Sequence, residues 1–418
     1  GRTRVQATNL KGLGAQTTGN AIEVVAARNG ATTTAQTTRD AFVLAGGHVD
    51  AGAYEYQLQA ADQNGAGESW YLRSHSSVVI DPTAPPKPTP DVVAQEAPRY
   101  RAEVPMFAAL PAQLRQADLA MLGNLHRRVG DDDARVPGVE IGERRAWARL
   151  IGADLDVRQE GTVSQSSNGH LQGLQAGTDL FAMPASNRRA GTYVGQMDGE
   201  PDVSGLARDG WGDAGKTDLR SRYVGAYATY SAPSGFYADA VLQYGRHDYT
   251  LHPDGNPAAS GKGDGVQASI EVGQSFALGG GWFIEPQLQL IHEQVNLDPV
   301  NLAGTQVNAD ADSGWIGRAG VRIKGEMSTG IGSLQPYARV NVYRASSGQD
   351  RVRFSTAAAS TTIFASTGYT SAEVAGGFTL TVSPTVSLYS ELGRVFDIGG
   401  DTRVKSSIEG SAGVRVRW

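Results

Sequence analysis

The stretch "SSIEGSAGVRVRW", residues 406–418, decides the fold. Read in twos, Ile408, Gly410, Ala412, Val414, Val416 and Trp418 form one face. Ser407, Glu409, Ser411, Gly413, Arg415 and Arg417 form the other. A strand sends alternate side chains to opposite faces, so this one is apolar on one side and charged on the other. An apolar face that ends on an aromatic suits lipid and its interface. Arginines on the opposite face suit a water-lined lumen.

Composition agrees with that reading. Glycine supplies 53 of 418 residues, about twice the usual share, which favours turns and crowded strands over long helices. A net charge of −6 argues against nucleic acid as the partner. Cysteine is absent, which suits a chain threaded unfolded through an oxidising compartment. No run of about eighteen apolar residues predicts a membrane helix. The mean hydropathy of −0.31 reads as soluble, but a membrane β-barrel averages to neutral because its strands alternate. No signal peptide opens the chain at Gly1, and a barrel sent to an outer membrane needs one, so the expectation is a piece of a longer precursor.

Five segments follow. Residues 1–80 hold short β-like runs such as "AIEVVAARNG" and "GAYEYQLQAADQNG" between Gly, Asn and Thr clusters, which predicts the end of a parallel β-helix. A small β-sandwich is the other reading. Residues 81–99 carry a proline-rich stretch, "DPTAPPKPTPDVVAQEAP", read as a semi-rigid linker. Residues 100–130 contain one α-helix, with Phe107, Leu110, Leu114, Met121 and Leu125 as its apolar stripe. Arg115, His126, Arg127 and Arg128 lie off that stripe. Some 20 helical residues extend about 30 Å, the depth of a bilayer core. Residues 131–143 form an acidic connector, and 144–418 a β-barrel.

Within 144–418 the alternation recurs. In "GWFIEPQLQLIHEQ" Trp282, Ile284, Leu288 and Leu290 alternate with Glu285, Gln287 and Gln289. In "SGWIGRAGVRIKGE" Trp315, Val321 and Ile323 alternate with Arg318, Arg322 and Lys324. Strands are expected near 144–158, 170–182, 188–198, 218–232, 235–250, 264–279, 281–296, 313–328, 334–347, 366–382, 385–398 and 403–418, which makes about twelve, an even number as a single-chain bacterial barrel requires. Turns near 278–280 and 382–385 are tight, while 250–263 and 297–312 read as long polar loops. The fold class expected is therefore all-β: a twelve-stranded antiparallel outer-membrane barrel threaded by one α-helix and preceded by the end of a parallel β-helix. The inward positions look mostly Gly, Ser, Gln and charged. Asp239, Glu271 and Glu285 are expected to line this polar lumen, their plainer role being to pair with Arg318, Arg322 and Arg339. The helix is expected to be held mainly by Arg and His contacts to lumenal carboxylates, its stripe resting on Tyr and Gly patches.

The segment "YRAEVPMFAALPAQLRQADLAMLGNLHRRVGD" (100–131), the "GAYEYQLQ…WYLRS" ending of the first piece and the terminal "VRVRW" resemble the C-terminal part of monomeric type V autotransporters, the pertactin-like group above all. The resemblance implies a translocator that inserts in the outer membrane and exports or anchors its own N-terminal passenger, a virulence factor or adhesin, at the cell surface. It implies an autochaperone role for the end of the passenger. It also implies, for Val414, Val416 and Trp418, a signal read by the barrel-assembly machinery, with periplasmic chaperones as further partners. A monomer is expected. Family members often cut themselves at an Asn–Asn pair in the pore helix. This chain has no such pair; Asn124, followed by Leu125, is the only asparagine on the helix, and a polar lumenal position is its plainer reading.

No cofactor or metal motif stands out. "HEQVN" (292–296) lacks the second histidine of a zinc-protease helix, "GKGDG" (261–265) has no helix behind it, and no G-x-S-x-G elbow occurs. The second function considered, an outer-membrane barrel enzyme of protease or lipase type, has no need of the upstream helix and linker.

Overall fold

The computed structural model describes residues 2–33, 39–77, 96–131, 144–183 and 187–418. Twelve long strands make the barrel: β1 Arg145–Gln159, β2 Ser166–Met183, β3 Arg188–Gly199, β4 Gly210–Ser231, β5 Phe236–Pro253, β6 Ala259–Gln274, β7 Trp282–Leu297, β8 Gly314–Gly325, β9 Gly332–Ala345, β10 Tyr369–Thr381, β11 Val386–Gly400 and β12 Thr402–Arg417. Each is antiparallel to its sequence neighbour, and β12 pairs back on β1 with Val416 opposite Ala146 and Arg417 opposite Arg145. Trp418 exchanges both backbone hydrogen bonds with Arg144 at 3.1 Å. The terminal stretch is thus the closing seam, with a register shift between Lys405 and Glu409, and among the described residues each of the twelve strands is paired on both sides.

The period-2 alternation sorts the two faces as the sequence predicts. Trp282, Trp315, Val321 and Ile323 are 44–51% exposed outward, whereas Arg322 between two of them is 1% exposed. Two loop expectations change. The stretch read as a loop at 250–263 is mostly strand, since β5 runs to Pro253 and β6 starts at Ala259. Its outward positions, Thr250, His252, Ser260 and Lys262, are polar, so the apolar alternation of a lipid-facing strand is missing here. The stretch read as a loop at 297–312 folds instead with 349–366 into a four-stranded antiparallel sheet over the same rim, with Val307 opposite Phe354.

Ahead of the barrel, Thr3–Val5 runs parallel to Phe42–Leu44, the one parallel ladder among the described residues. The other ladders of the first piece are antiparallel: a four-stranded sheet through Ile22–Val25, Trp70–Arg73, Tyr54–Ala60 and Val49–Ala51, and a pair of His75–Ser77 with Glu96–Pro98. Parallel pairing in the first piece is thus limited to three residues among the described ones, and the rest of its sheet structure is antiparallel. The boundary set at residue 80, the linker up to 95 and the connector from 132 lie outside the described residues; 96–98, counted with the linker, is strand.

The single helix read over 104–130 is two segments, α1 Glu103–Leu122 and α2 Leu125–Val129. Gly123 at φ +60° breaks it, a conformation a side chain would strain. Asn124 then turns extended and caps α2, its Oδ1 accepting from the Arg127 N–H at 2.8 Å. Pro111 sits inside α1 without ending it.

Candidate functional site

The site is the filled lumen. Seventeen of the 20 residues of α1 are buried, so the expected one-sided stripe is wrong in kind: the helix is enclosed all round. Close approach needs small wall residues. A Cβ on Gly205 would meet Pro105 at 2.6 Å, and one on Gly195 would meet the Met121 sulfur at 2.6 Å.

The half of the lumen under the long-loop rim is apolar. Phe107, Leu110 and Leu114 cluster with Val163, Val203, Leu219, Tyr249, Leu251 and Val295 of the wall. From the loop sheet come Val307, Val352, Phe354 and Ile363, with Phe107 edge-on to Phe354 at 6.0 Å. This corrects the expectation of an almost wholly polar lumen. Leu219, Leu251 and Val295 were assigned no face in the sequence, because their stretches lack the apolar alternation that lipid imposes lower down. The same cluster takes in Leu44, Ala51, Ala53, Tyr54, Tyr56 and Leu72 of the first piece, with Tyr54 stacked on Tyr100 at 5.6 Å. The N-terminal domain therefore sits on the barrel mouth as a lid continuous with the plug.

Polar contacts frame this seam. Glu55 takes Arg99 at 2.8 Å and Arg208 at 3.1 Å, and Arg99 also reaches Asp209. The Gly52 N–H donates to Thr305 at 2.9 Å, and the Asn256 amide donates to Asp50 at 2.7 Å and Glu103 at 2.8 Å. Burial pushes the Asp50 carboxyl above its usual range against the opposing charge of Arg101, and pushes the Tyr100 hydroxyl up to about 12. His48, Asp50 and Glu55 bring possible ligand atoms within 4.8 Å of one another, but Arg99 and Arg208 take both Glu55 oxygens and Asn256 takes Asp50 Oδ2, so they read as an ion-pair network.

The other half of the lumen is charged. Arg115, at mid-depth, forks onto Asp350 at 2.6 and 2.8 Å. His126 lies 3.0 Å from Glu285, Arg127 bridges Glu391 and Glu409 at 3.1 and 3.2 Å, and Arg128 meets both Asp239 oxygens at 2.8 Å under the Tyr227 ring. Arg322 forks onto Asp131, just after α2, and Arg318 and Arg339 pair with Glu271 and Glu373. Met121 and Leu125 rest among Trp147, Tyr193, Tyr223 and Tyr227, the tyrosine-rich patch anticipated for them.

Missing from the sequence reading were the wall groups that satisfy the broken helix. Arg149 and Gln175 donate to the Met121 carbonyl at 2.7 and 3.1 Å, Gln243 to that of Asp118, and Gln289 to that of Gly123. The Leu125 N–H donates to Glu271, and Arg415 donates to the carbonyls of Val129 and Asp131 at 2.8 Å. Helix ends buried away from water need such partners. A strand-facing Arg or Gln carries no local mark of this role. Val414, Val416 and Trp418 lie on the outer face, 36%, 39% and 58% exposed.

With this geometry in view, the chain's likenesses are specific. Residues 146–393 match the family described as autotransporter beta-domain, and residues 1–58 match the autochaperone domain type 1. The adhesin BmaC autotransporter of Brucella suis is 30% identical over all of this chain, which spans 12% of that protein. The pertactin autotransporter of Bordetella bronchiseptica is 29% identical over 73% of the chain, which spans 34% of it. Among solved structures, the transport unit of AIDA-I from Escherichia coli superposes with a TM-score of 0.57 at 16% identity, over 77% of this chain and 100% of that one. The Bordetella BrkA beta domain gives 0.52 at 23% identity, over 66% and 100%. Both share the fold.

Proposed function

The chain belongs to the autotransporter family, and on that premise we propose that it is the translocator unit of a longer protein, seated in the bacterial outer membrane and carrying its own passenger to the cell surface. One observation carries the reading. The helices ahead of β1, Glu103–Leu122 and Leu125–Val129, lie inside the barrel, so the chain itself marks a route along the lumen. The lid over the long-loop rim fits an autochaperone, since an apolar cap offers the emerging passenger a surface on which to fold. The BmaC relative is named an adhesin, and surface adhesion is the passenger role that likeness supports. One copy closes its own barrel, which fits a monomer.

A catalytic role is not part of this reading. Buried carboxylates such as Asp239 and Glu373 are engaged by arginines, and the Asn124 side chain accepts from the Arg127 N–H as a helix cap. Val414, Val416 and Trp418 fit a recognition signal for the assembly machinery, with chaperones escorting the unfolded barrel beforehand. The test is export. In whole cells making the chain behind a signal peptide, added protease should remove residues 1–77 while leaving the barrel. A lid protected until the cells are lysed would overturn the translocator reading.

A further inference from the structure

We propose that Arg222 and Arg246 form a phosphate-binding site for a phosphorylated lipid on the outer wall of the barrel. The two are direct cross-strand partners on β4 and β5, and both side chains face outward. Like charges directly opposite each other in a sheet destabilise it, so the pair needs a reason. Several neighbouring cations have close acidic partners: Arg220 with Asp198 at 3.3 Å, Lys216 with Glu200 at 2.8 Å and His252 with Asp218 at 2.9 Å. Arg222 has only a 3.9 Å approach to Asp248, and Arg246 has no ion pair within 4.0 Å among the described residues, its cross-strand neighbour Asp264 accepting instead from the Asn296 amide at 3.1 Å.

Their height on the wall identifies the ligand. The next outward row toward the short-turn rim is Val194, Val224, Tyr244 and Val266, in register across β3 to β6, and Leu242 lies one row further down. All five are exposed on the outer face, at 38–60%. The arginine pair therefore stands one row above the apolar band, where a lipid's headgroup meets its acyl chains. A guanidinium offers a planar fork of donors that matches phosphate oxygens, and two forks side by side can share one anion. Acyl chains would lie down Val224, Tyr244 and Leu242. The proposal needs only that the barrel sits in a bilayer; it does not depend on translocation.

The experiment uses the full chain, refolded into neutral phosphatidylcholine nanodiscs, with phosphatidic acid as the titrated probe. Arg222→Gln/Arg246→Gln should bind the probe about thirtyfold more weakly. Arg222→Lys/Arg246→Lys, which keeps the charge but loses both planar forks, should bind more weakly than the parent and more tightly than the double Gln variant, and binding equal to the parent's would overturn the fork as the recognition element. Arg344→Gln, which removes an outward charge from β9, should bind as the parent does. A double Gln variant that keeps its melting temperature and binds the probe unchanged overturns the site. Competition by inorganic phosphate at concentrations matching the lipid's would show a free-anion site and overturn the lipid assignment.

Discussion

The two halves of the lumen hold the same plug by different physics. Under the lid, Leu110, Phe107 and Leu114 are buried among aliphatic and aromatic groups, where attraction is non-directional and follows area. At the opposite end, Asp131, Arg127 and Arg128 sit in ion pairs with defined partners, where desolvation is costly and only good geometry offsets it. Area-based contact depends little on side-chain orientation, whereas the ion pairs fix the register of the segment that makes them. The contrast teaches that one plug can be held at one end by burial and at the other by specific pairing.

The largest effect should come from removing both halves at once. Deletion of residues 100–130 should turn a closed barrel into a large steady pore in planar-bilayer recordings and lower its melting temperature. Conductance at the intact level would place the helix outside the conducting path. Next comes the charged end alone. Asp131→Ala leaves Arg322 buried without its carboxylate and should destabilise the refolded barrel by about 3–5 kcal/mol in denaturant titration. At the mouth, Leu110→Ala removes a fully buried side chain and should cost about 2–5 kcal/mol. Amide exchange sharpens the comparison: Leu110→Ala should loosen the lid and the start of α1, and Asp131→Ala should loosen α2. Identical exchange patterns would mean the plug is one cooperative unit, and the division into halves would fall.

On the outside, Trp418→Asp should cost about 0–1 kcal/mol, because the position lies near the interface. Its larger consequence should be a reduced yield of folded barrel in cells, and a normal yield would remove the assembly-signal role. The smallest effect concerns the seam. Asp50 is raised by burial, partly opposed by Arg101 and reinforced by the neighbouring Glu103 and Glu55. A raised carboxyl contributes stability that is fully present below its ordinary value and is lost as pH climbs through the raised one. The lid of Asp50→Asn should therefore match the parent near roughly pH 4 and hold more firmly near roughly pH 7, read as protease sensitivity of residues 1–77. A gap that widens on acidification would reverse the sign and the account of Asp50.

Much of the barrel was legible because lipid is a demanding solvent. It forces period-2 alternation on each crossing strand, so Val321, Arg322 and Ile323 declare their faces locally. At the ends of β5 and β6 the outward positions are polar and that alternation is missing, which is why they passed for a loop. Arg127 and Arg128 could be picked out as anchors from their place on a helix bound for a polar tube. Their partners Glu391, Glu409 and Asp239 are distant in sequence, and only Asp239 had been singled out.

By itself, then, the sequence determined the strand number and the two faces of the wall. It also determined that a helix precedes the barrel, since each of these is written in short-range periodicity. Tertiary structure alone decided that the lumen has an apolar end, that the helix breaks at Gly123, and that Arg149, Gln175 and Arg415 close its open carbonyls. Those features depend on which residues from distant strands arrive at the same depth. That depth is set by the register of barrel closure, a property no local stretch of the chain contains.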